Sequence, residues 1–262
     1  MMTIQNYVRP GTLEEAYALN QKKANRVIGG MLWTRLENPR IQTAVDLADL
    51  GLRGIREEED GFHIGAMTTL RDLETSQALN DYTQGAVRAA VCHIVGVQLR
   101  NMATVGGSLY SRFGFSDVTT LFLALDAEVE LYKRGRIALS AYDKEKRDRD
   151  ILTGVVIPKR GEIRAVYESV RRQATDFPIL TMAGVCRGDG TLTFSVGARP
   201  GIAAAFSENA QAVRDMGPAA FGKAAGDRIR TGSNLRGSAA YRSQLVRVLA
   251  ERETRRLLEE GV

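Results

Sequence analysis

Apolar and polar residues at the start of the chain follow the two-residue period of strands in some segments and the helical period in another. Residues 5–8 predict a strand, and residues 26–28 form a second short apolar run of the same kind. Between them, Thr12 followed three residues later by Glu15 is a capping box, which predicts a helix over residues 13–21. This strand–helix–strand order is typical of a mixed arrangement of helices and sheet.

The middle of the chain continues with both periods. Two-residue alternation predicts strands at residues 62–66 and 127–132. Helices are predicted from Thr69 onward and over residues 82–92. The densely charged residues 133–150 carry both signs of charge, which predicts a solvated, loop-rich segment.

The pattern changes after an apolar strand predicted at residues 151–158, which ends in a proline. We therefore place a domain boundary near residue 160, which gives domains of residues 1–160 and 161–262. The second domain is predicted to hold strands that pair through tight turns, followed by an amphipathic terminal helix. Its predicted elements are strands at residues 163–170, 182–187 and 191–196, and a helix over residues 238–260.

Composition excludes several kinds of site. The 262 residues include only two Cys and two His. That is too few for a disulfide scaffold, a four-cysteine zinc site or an iron–sulfur cluster held by this chain alone. We expect no metal site and no acid–base catalyst here, so any chemistry must use backbone amides, hydroxyls, carboxylates or a bound cofactor.

The net charge is +5, from 36 basic and 31 acidic residues, and raises nucleic acid as a possible partner. The basic residues are spread along the chain and interleaved with acidic ones, so we expect no nucleic-acid partner. No stretch approaches the roughly 18 apolar residues that a membrane span needs. Together with the unpaired cysteines, this favours a soluble protein of the cytoplasm.

Two glycine pairs are the sharpest local features of the sequence. Gly29 and Gly30 follow the strand at residues 26–28, and Gly106 and Gly107 lie in the second half of the first domain. Glycine permits positive φ and close approach of the backbone, so successive N–H groups can converge on a phosphate. Neither pair has the spacing of a Rossmann or P-loop site, and either pair alone also fits an ordinary tight turn.

The residues around these pairs resemble a known family. The segments IGGMLW at residues 28–33 and RNMATVGGS at residues 100–108, with Ser116–Asp117, resemble the FAD-binding medium subunit of molybdenum hydroxylases of the xanthine dehydrogenase and carbon monoxide dehydrogenase type. The similarity extends over nearly the whole chain, including residues 167–178 and 236–242. It implies an α+β fold: a two-part FAD-binding domain of the vanillyl-alcohol-oxidase (PCMH) type, followed by a small domain of antiparallel sheet and helices.

The resemblance also implies a role for individual residues. Two loops would hold the FAD diphosphate with backbone amides and a hydroxyl, Asp117 would lie near the adenosine, and Ile94 and Leu152 would contact the flavin. The residues expected to contact FAD are Val27, Ile28, Gly29, Gly30, Met31, Leu32, Trp33, Ile94, Thr104, Gly106, Gly107, Ser108, Asp117 and Leu152.

Two departures from the family pattern bear on these roles. Met31 and Leu32 stand where relatives often carry hydrogen-bonding side chains, which leaves the backbone alone to bind at that loop. The loss of such bonds is worth about 1–3 kcal/mol of affinity, and Trp33 either offsets it by packing or is a core aromatic. Near Glu168 many relatives carry a lysine, and the nearest basic residues here are Arg171 and Arg172.

The implied function is that of an electron-transfer flavoprotein subunit. Molybdopterin would be bound by a large partner subunit and two [2Fe–2S] clusters by a small one. Electrons from the clusters would pass through FAD to NAD or another acceptor. An alternative hypothesis is a flavin-free scaffold subunit of the same complex, motivated by Met31 and Leu32.

Overall fold

The computed structural model describes residues 1–37 and 39–258. Within them the chain forms twelve strands and twelve helices. The strands are β1 Thr3–Val8, β2 Arg26–Ile28, β3 Arg40–Asp46, β4 Ile55–Glu57, β5 Gly61–Gly65, β6 Glu128–Leu131, β7 Gly135–Ala138, β8 Leu152–Pro158, β9 Ile163–Val170, β10 Leu180–Arg187, β11 Thr191–Gly197 and β12 Ala204–Asn209. The helices are α1 Leu13–Gln21, α2 Leu32–Leu36, α3 Leu70–Thr75, α4 Gln77–Tyr82, α5 Ala86–Val91, α6 Val97–Arg100, α7 Val105–Tyr110, α8 Asp117–Ala124, α9 Leu139–Tyr142, α10 Ala210–Met216, α11 Pro218–Arg228 and α12 Ala239–Leu258.

The strands make three sheets. A small parallel sheet has the order β1-β3-β2. A five-stranded antiparallel sheet has the order β4-β5-β8-β6-β7. A four-stranded antiparallel sheet, β12-β11-β10-β9, follows in the last third of the chain. The expected α+β class, with an antiparallel sheet and helices in the last third of the chain, is confirmed.

Local capping explains why the predicted helices begin where they do. Thr12 accepts a hydrogen bond from the Glu15 N–H, while the Glu15 carboxylate accepts from Gly11 rather than from Thr12. A complete reciprocal capping box occurs instead at Thr69 and Asp72, where α3 begins. Each cap satisfies N–H groups that a helix start leaves unpaired.

Two predicted elements differ in the structure. The charged segment expected to be loop-rich contains β7 and α9, because its sparse apolar side chains, including Leu139 and Tyr142, are buried beneath the charged surface. The helix predicted over residues 82–92 is divided, since Gln84 and Gly85 adopt positive φ between α4 and α5. The end of the last predicted helix, residues 259–260, lies outside the described residues.

The hydrophobic core joins the first two thirds of the chain to the last third. Side chains of the five-stranded sheet and of α3, α5 and α8 pack together with Ala165 of β9 and Val185 of β10. A second core lies on the other side of the last sheet, beneath α10, α11 and α12. The division near residue 160 falls between β8 and β9 and stays a prediction. In the described part of the chain, none of the helices has the length and apolar character needed to cross a membrane.

Candidate functional site

A cavity of ≈ 670 Å³ lies where the parallel sheet, the five-stranded sheet and the start of β10 approach one another. This volume is in the range of small-molecule and cofactor sites. All fourteen residues predicted to contact FAD lie on its wall: Val27, Ile28, Gly29, Gly30, Met31, Leu32, Trp33, Ile94, Thr104, Gly106, Gly107, Ser108, Asp117 and Leu152. Residues distant in sequence are thus brought together, while their contact with FAD stays a prediction.

The first glycine loop, residues 27–33, connects β2 to α2. The pairing of Ile28 with Asp46 places the Gly29 N–H at the end of the β2–β3 ladder, whereas the N–H groups of Gly30 and Met31 have no protein acceptor among the described residues. These two successive amides therefore remain available to an anionic ligand. Met31 is the residue in the left-handed region, with φ of 55°, which turns the chain into α2.

Both glycines of the first loop are required by close approach. A Cβ on Gly30 would lie 1.9 Å from the carbonyl oxygen of Met102, and one on Gly29 would lie 2.7 Å from Thr104 Oγ1. Neither glycine has a positive φ, so of the two properties that glycine offers, the pair uses close approach of the backbone. The loop lies flat against the segment that carries the second glycine pair, and only glycine leaves room for it.

The second glycine segment, residues 104–108, forms the first turn of α7. Its amides are already used: Val105 donates to Thr68, Gly106 to Ala66, and Gly107 and Ser108 to Thr104. The prediction that this segment offers its N–H groups to a phosphate is therefore not met in this geometry. A Cβ on Gly106 would lie 2.8 Å from Ala66, so this glycine again serves backbone packing.

Two hydroxyls are what the second segment presents to the cavity. Thr104 Oγ1 accepts from the Gly107 N–H at 3.1 Å, and its own proton has no acceptor among the described residues. Ser108 Oγ donates to the Thr104 carbonyl at 3.0 Å and keeps its lone pairs free. A hydroxyl that still has a proton to donate suits a phosphate or ribose oxygen.

Asp117 is 5% exposed at the start of α8 and is joined to the last sheet. Its carboxylate accepts from the Tyr167 hydroxyl and pairs with the Arg171 guanidinium. Burial raises the pKa of Asp117, and the neighbouring Arg171 charge opposes that rise. Burial and the nearby carboxylate raise the pKa of Tyr167 well above its ordinary value, so the phenol stays protonated and donates.

Arg171 is the basic residue whose role the sequence left open. It lines the cavity, and its guanidinium also donates to Ser169 Oγ at 3.0 Å and to the Asp176 carbonyl at 2.6 Å. Two of its three partners lie on the 169–176 segment and the third is Asp117, so Arg171 holds this segment against α8. Arg172 instead donates to the carbonyl of Leu235, outside the cavity wall.

The apolar walls contain the predicted residues and an aromatic cluster that the sequence analysis did not find. Ile94 is half-buried and Leu152 is buried, as suits contact with a flat apolar ring. Trp33 lies with its ring centroid 5.1 Å from Phe113 and 5.7 Å from Phe177. The fourth member of the cluster, Phe115, stacks on Phe113 at 5.0 Å.

Trp33 is 39% exposed and belongs to this cavity-side cluster, so it is not a core aromatic. The Phe113–Gly114–Phe115 spacing was the available signal. It could not be interpreted from the sequence, because the partner rings lie about 80 and 60 residues away. The cluster closes one side of the cavity by ring contacts.

A separate group of charged side chains lies on the edge of the five-stranded sheet. Glu58, Asp60 and His63 bring possible metal-ligand atoms within 4.8 Å of one another. His63 Nε2 is 2.7 Å from Asp60, and Arg136 pairs with the other Asp60 oxygen at 3.0 Å. The hydrogen bond from His63 and that from Arg136 lower the pKa of Asp60 to about 2. Ion pairing accounts for this cluster.

The cavity residues fit a flavin dinucleotide. Two free amides of the first glycine loop, the Thr104 and Ser108 hydroxyls and aliphatic side chains all belong to residues that line the cavity. Amides and hydroxyls suit an anionic diphosphate, and aliphatic side chains suit a planar ring. Gly29 and Gly30 lie so close to Thr104 and Met102 that neither glycine leaves room for a side chain. This tight contact holds the loop in its conformation before a ligand binds.

Comparison with known proteins also indicates an FAD-binding protein. Residues 2–160 match the family described as the FAD-binding domain in molybdopterin dehydrogenase. The chain is 32% identical over 204 residues to the carbon monoxide dehydrogenase medium chain of Afipia carboxidovorans, covering 68% of this chain and 69% of that one. It is 32% identical over 139 residues to the xanthine dehydrogenase FAD-binding subunit of Escherichia coli O157:H7, covering 50% and 47%.

The solved structures agree with the sequence relatives. A chain of reconstituted CO dehydrogenase from Oligotropha carboxidovorans matches with a TM-score of 0.82 at 25% identity, and each chain is covered over 100% of its length. The match therefore includes all three sheets, and not only the part that holds the glycine segments.

Proposed function

Because this chain belongs to the family of FAD-binding domains in molybdopterin dehydrogenases, an oxidoreductase family whose cofactor is FAD, we propose that it is the electron-transfer flavoprotein subunit of a multi-subunit molybdenum hydroxylase. The observation that carries the proposal is the pair of successive free amides at Gly30 and Met31, which line a cavity together with hydroxyls and an aliphatic wall. A carbonyl-rich or acidic cavity would repel a diphosphate, whereas this one offers it donors.

We assign each part of the cavity a binding role. The amides of the first glycine loop hold the diphosphate, the Thr104 hydroxyl donates a further hydrogen bond to it, and the Ser108 hydroxyl accepts from a ribose hydroxyl. Ile94 and Leu152 contact the flavin ring, and Asp117, oriented by Arg171, binds near the adenosine. FAD supplies one- and two-electron redox chemistry when bound, while the chain itself supplies binding and orientation.

The partners in this proposal are other subunits. A large subunit binds molybdopterin, and a small subunit carries [2Fe–2S] clusters from which electrons reach FAD and then NAD or another acceptor. The name of the relative from Afipia carboxidovorans, a medium chain, supports such an assembly. With both cysteines free, we place the protein in the cytoplasm, with residues 1–160 as its FAD-binding domain.

The experiment is purification of the full chain, alone and from cells that also contain its neighbours, with measurement of bound flavin, molybdenum and iron. We expect a yellow protein with one FAD per chain, and co-purifying subunits that contain molybdenum and iron. Addition of NADH to the complex is expected to bleach the visible flavin absorbance, since NAD is the proposed acceptor.

Two controls separate this proposal from its rivals. Gly106→Asp adds bulk 2.8 Å from Ala66 and is expected to abolish the flavin signal. A colourless wild-type chain that ignores FAD at high micromolar concentration would support the flavin-free scaffold instead. A yellow protein without molybdenum-containing partners would retain the cofactor and contradict the assembly.

A further inference from the structure

The turn that carries Ile94 into the cavity is strained. Val95 has a φ of 51°, in the left-handed region, and its side chain is branched at Cβ. A β-branched residue is disfavoured there because Cβ crowds its own backbone, so such a residue persists only where its surroundings hold it. His93, Ile94 and Val95 all lie on the cavity wall, so the strained turn forms part of the site.

Arg100 is the side chain that holds this turn. It is 5% exposed, and its Nη1 donates to the carbonyl of Ile94 at 3.2 Å and to that of Val95 at 3.4 Å. The turn's two carbonyls thus face one nitrogen of a rigid planar group. A guanidinium suits this role because its donors are fixed in one plane.

The other edge of the same guanidinium is anchored in the protein. Arg100 Nε donates to one oxygen of Glu74 at 2.7 Å, and Nη2 donates to the other at 3.1 Å. Glu74 lies on α3 and is itself buried, with Arg71 approaching its carboxylate from the surface at 2.9 Å. Burial raises the pKa of Glu74, but the hydrogen bonds from Arg100 and Arg71 outweigh it, so the carboxyl is held below its ordinary pKa and stays charged.

Arg100 also begins the segment that carries the second glycine pair. After α6 the chain continues through Ala103, whose carbonyl accepts from the Leu70 N–H of α3 at 2.9 Å, to Thr104. Through its pair with Glu74, Arg100 therefore ties α6 to α3. The strained turn before α6 and the glycine segment after it are held against α3 in the same way.

We propose that Arg100 is a positioning residue for the cofactor site: through its bidentate pair with buried Glu74 it holds the strained turn of Val95, so that Ile94 stays against the FAD cavity. This inference rests on the proposed function. It adds to it a residue that does not line the cavity itself and acts through two residues that do.

The test compares two arginines that contact the same carboxylate. Arg100→Lys keeps the charge but cannot reach both Glu74 oxygens and both carbonyls, so FAD should bind about ten-fold more weakly. Arg71→Gln removes the surface partner of Glu74 without touching the turn, and its affinity should stay within about two-fold of wild type. FAD affinity is measured by fluorescence titration, and the environment of bound flavin by visible circular dichroism.

A rescue variant separates positioning from general stability. Glycine accepts positive φ without strain, so Val95→Gly in the Arg100→Lys background should recover most of the lost affinity. Val95→Gly in the wild-type background is the control, because a variant that only destabilised the fold would gain no more FAD affinity from the glycine than wild type does. Should Arg100→Lys not fold, Glu74→Gln keeps an acceptor while removing the charge that orients the guanidinium, and about three-fold weaker binding is expected.

The outcomes distinguish the two proposals. Equal FAD affinity and an equal dichroism spectrum for Arg100→Lys and wild type would overturn the positioning role and leave the proposed function intact. An equal loss in Arg71→Gln, or no recovery with Val95→Gly, would also overturn it. A wild-type chain that binds no FAD would overturn the proposed function as well.

Discussion

The two glycine segments share a sequence signal and differ in what they do. In the first loop, the successive amides of Gly30 and Met31 are free of acceptors among the described residues, and the residue in the left-handed region is Met31. In the second, the four amides of residues 105–108 donate within the protein, and the segment is the first turn of α7. The first loop therefore offers donors to a ligand, while the second segment packs against the first loop and supports it.

The contact between them explains why both need glycine. The first loop lies on the backbone of Met102 and on the Thr104 hydroxyl, while the second segment lies on Ala66. A glycine pair after an apolar run thus signals close backbone approach in both cases, and it does not by itself identify which pair binds an anion.

The largest expected effect that tests this comparison is in the first loop. Gly30→Ala places a Cβ 1.9 Å from the Met102 carbonyl, and neither backbone can yield locally. We expect a loss of about 3 kcal/mol of unfolding free energy in urea and of detectable FAD binding. The matched control is Gly11→Ala, where a Cβ meets no atom within 4 Å; a comparable loss there would contradict the packing argument.

The next effect concerns the hydroxyl that joins the two segments. Thr104→Val keeps the shape of the side chain but removes the acceptor for the Gly107 N–H at the start of α7. We expect a loss of about 1.5 kcal/mol in urea unfolding, together with weaker FAD binding. Thr104→Ser retains the cap and should stay close to wild type. If Ser and Val behave alike, the hydroxyl has no such role.

A smaller effect sharpens the difference in backbone conformation. Met31 is left-handed, so Met31→Gly should be more stable than Met31→Ala by about 1 kcal/mol, because both variants lose the same packing and only glycine avoids the strain. Chemical denaturation of the two variants gives the difference directly. If the alanine variant were the more stable of the two, backbone strain at Met31 would be excluded.

The smallest effect is expected at Gly107. A Cβ there would lie 3.0 Å from Thr104 Oγ1, which is tight but adjustable, and alanine favours the helical backbone of α7 over glycine. These terms oppose each other, so Gly107→Ala should change the unfolding free energy by less than about 0.5 kcal/mol. If Gly107→Ala lost as much unfolding free energy as Gly30→Ala, the two glycine segments would depend equally on glycine, and the difference argued here would be wrong.

Much of the fold was predictable from local signals. The caps at Thr12 and Thr69 mark helix starts, and the strands β9, β10 and β11 follow from apolar alternation with a glycine turn between the last two. The divided helix at Gly85 and the burial of Leu139 in a charged segment were not predictable, because each depends on neighbours contributed by other elements.

The site was predictable in its members and not in their contacts. The resemblance to flavoprotein subunits selected fourteen residues that do lie on one cavity, but it did not indicate which amides remain free. Nor did it predict that Arg171 would pair with Asp117, since these residues are 54 positions apart. Pairing over that distance is fixed by how the four-stranded sheet packs against α8.

By itself, the sequence determined the places where the backbone must come close and the absence of enough cysteine and histidine for a cluster or a zinc site. Glycine and capping residues act over a few positions, so their consequences are visible in one dimension. The tertiary structure alone decided that one glycine segment supports the other, and that Arg100 joins Glu74 to the strained turn at Val95. Those contacts depend on side chains that meet only after the sheets and helices have packed.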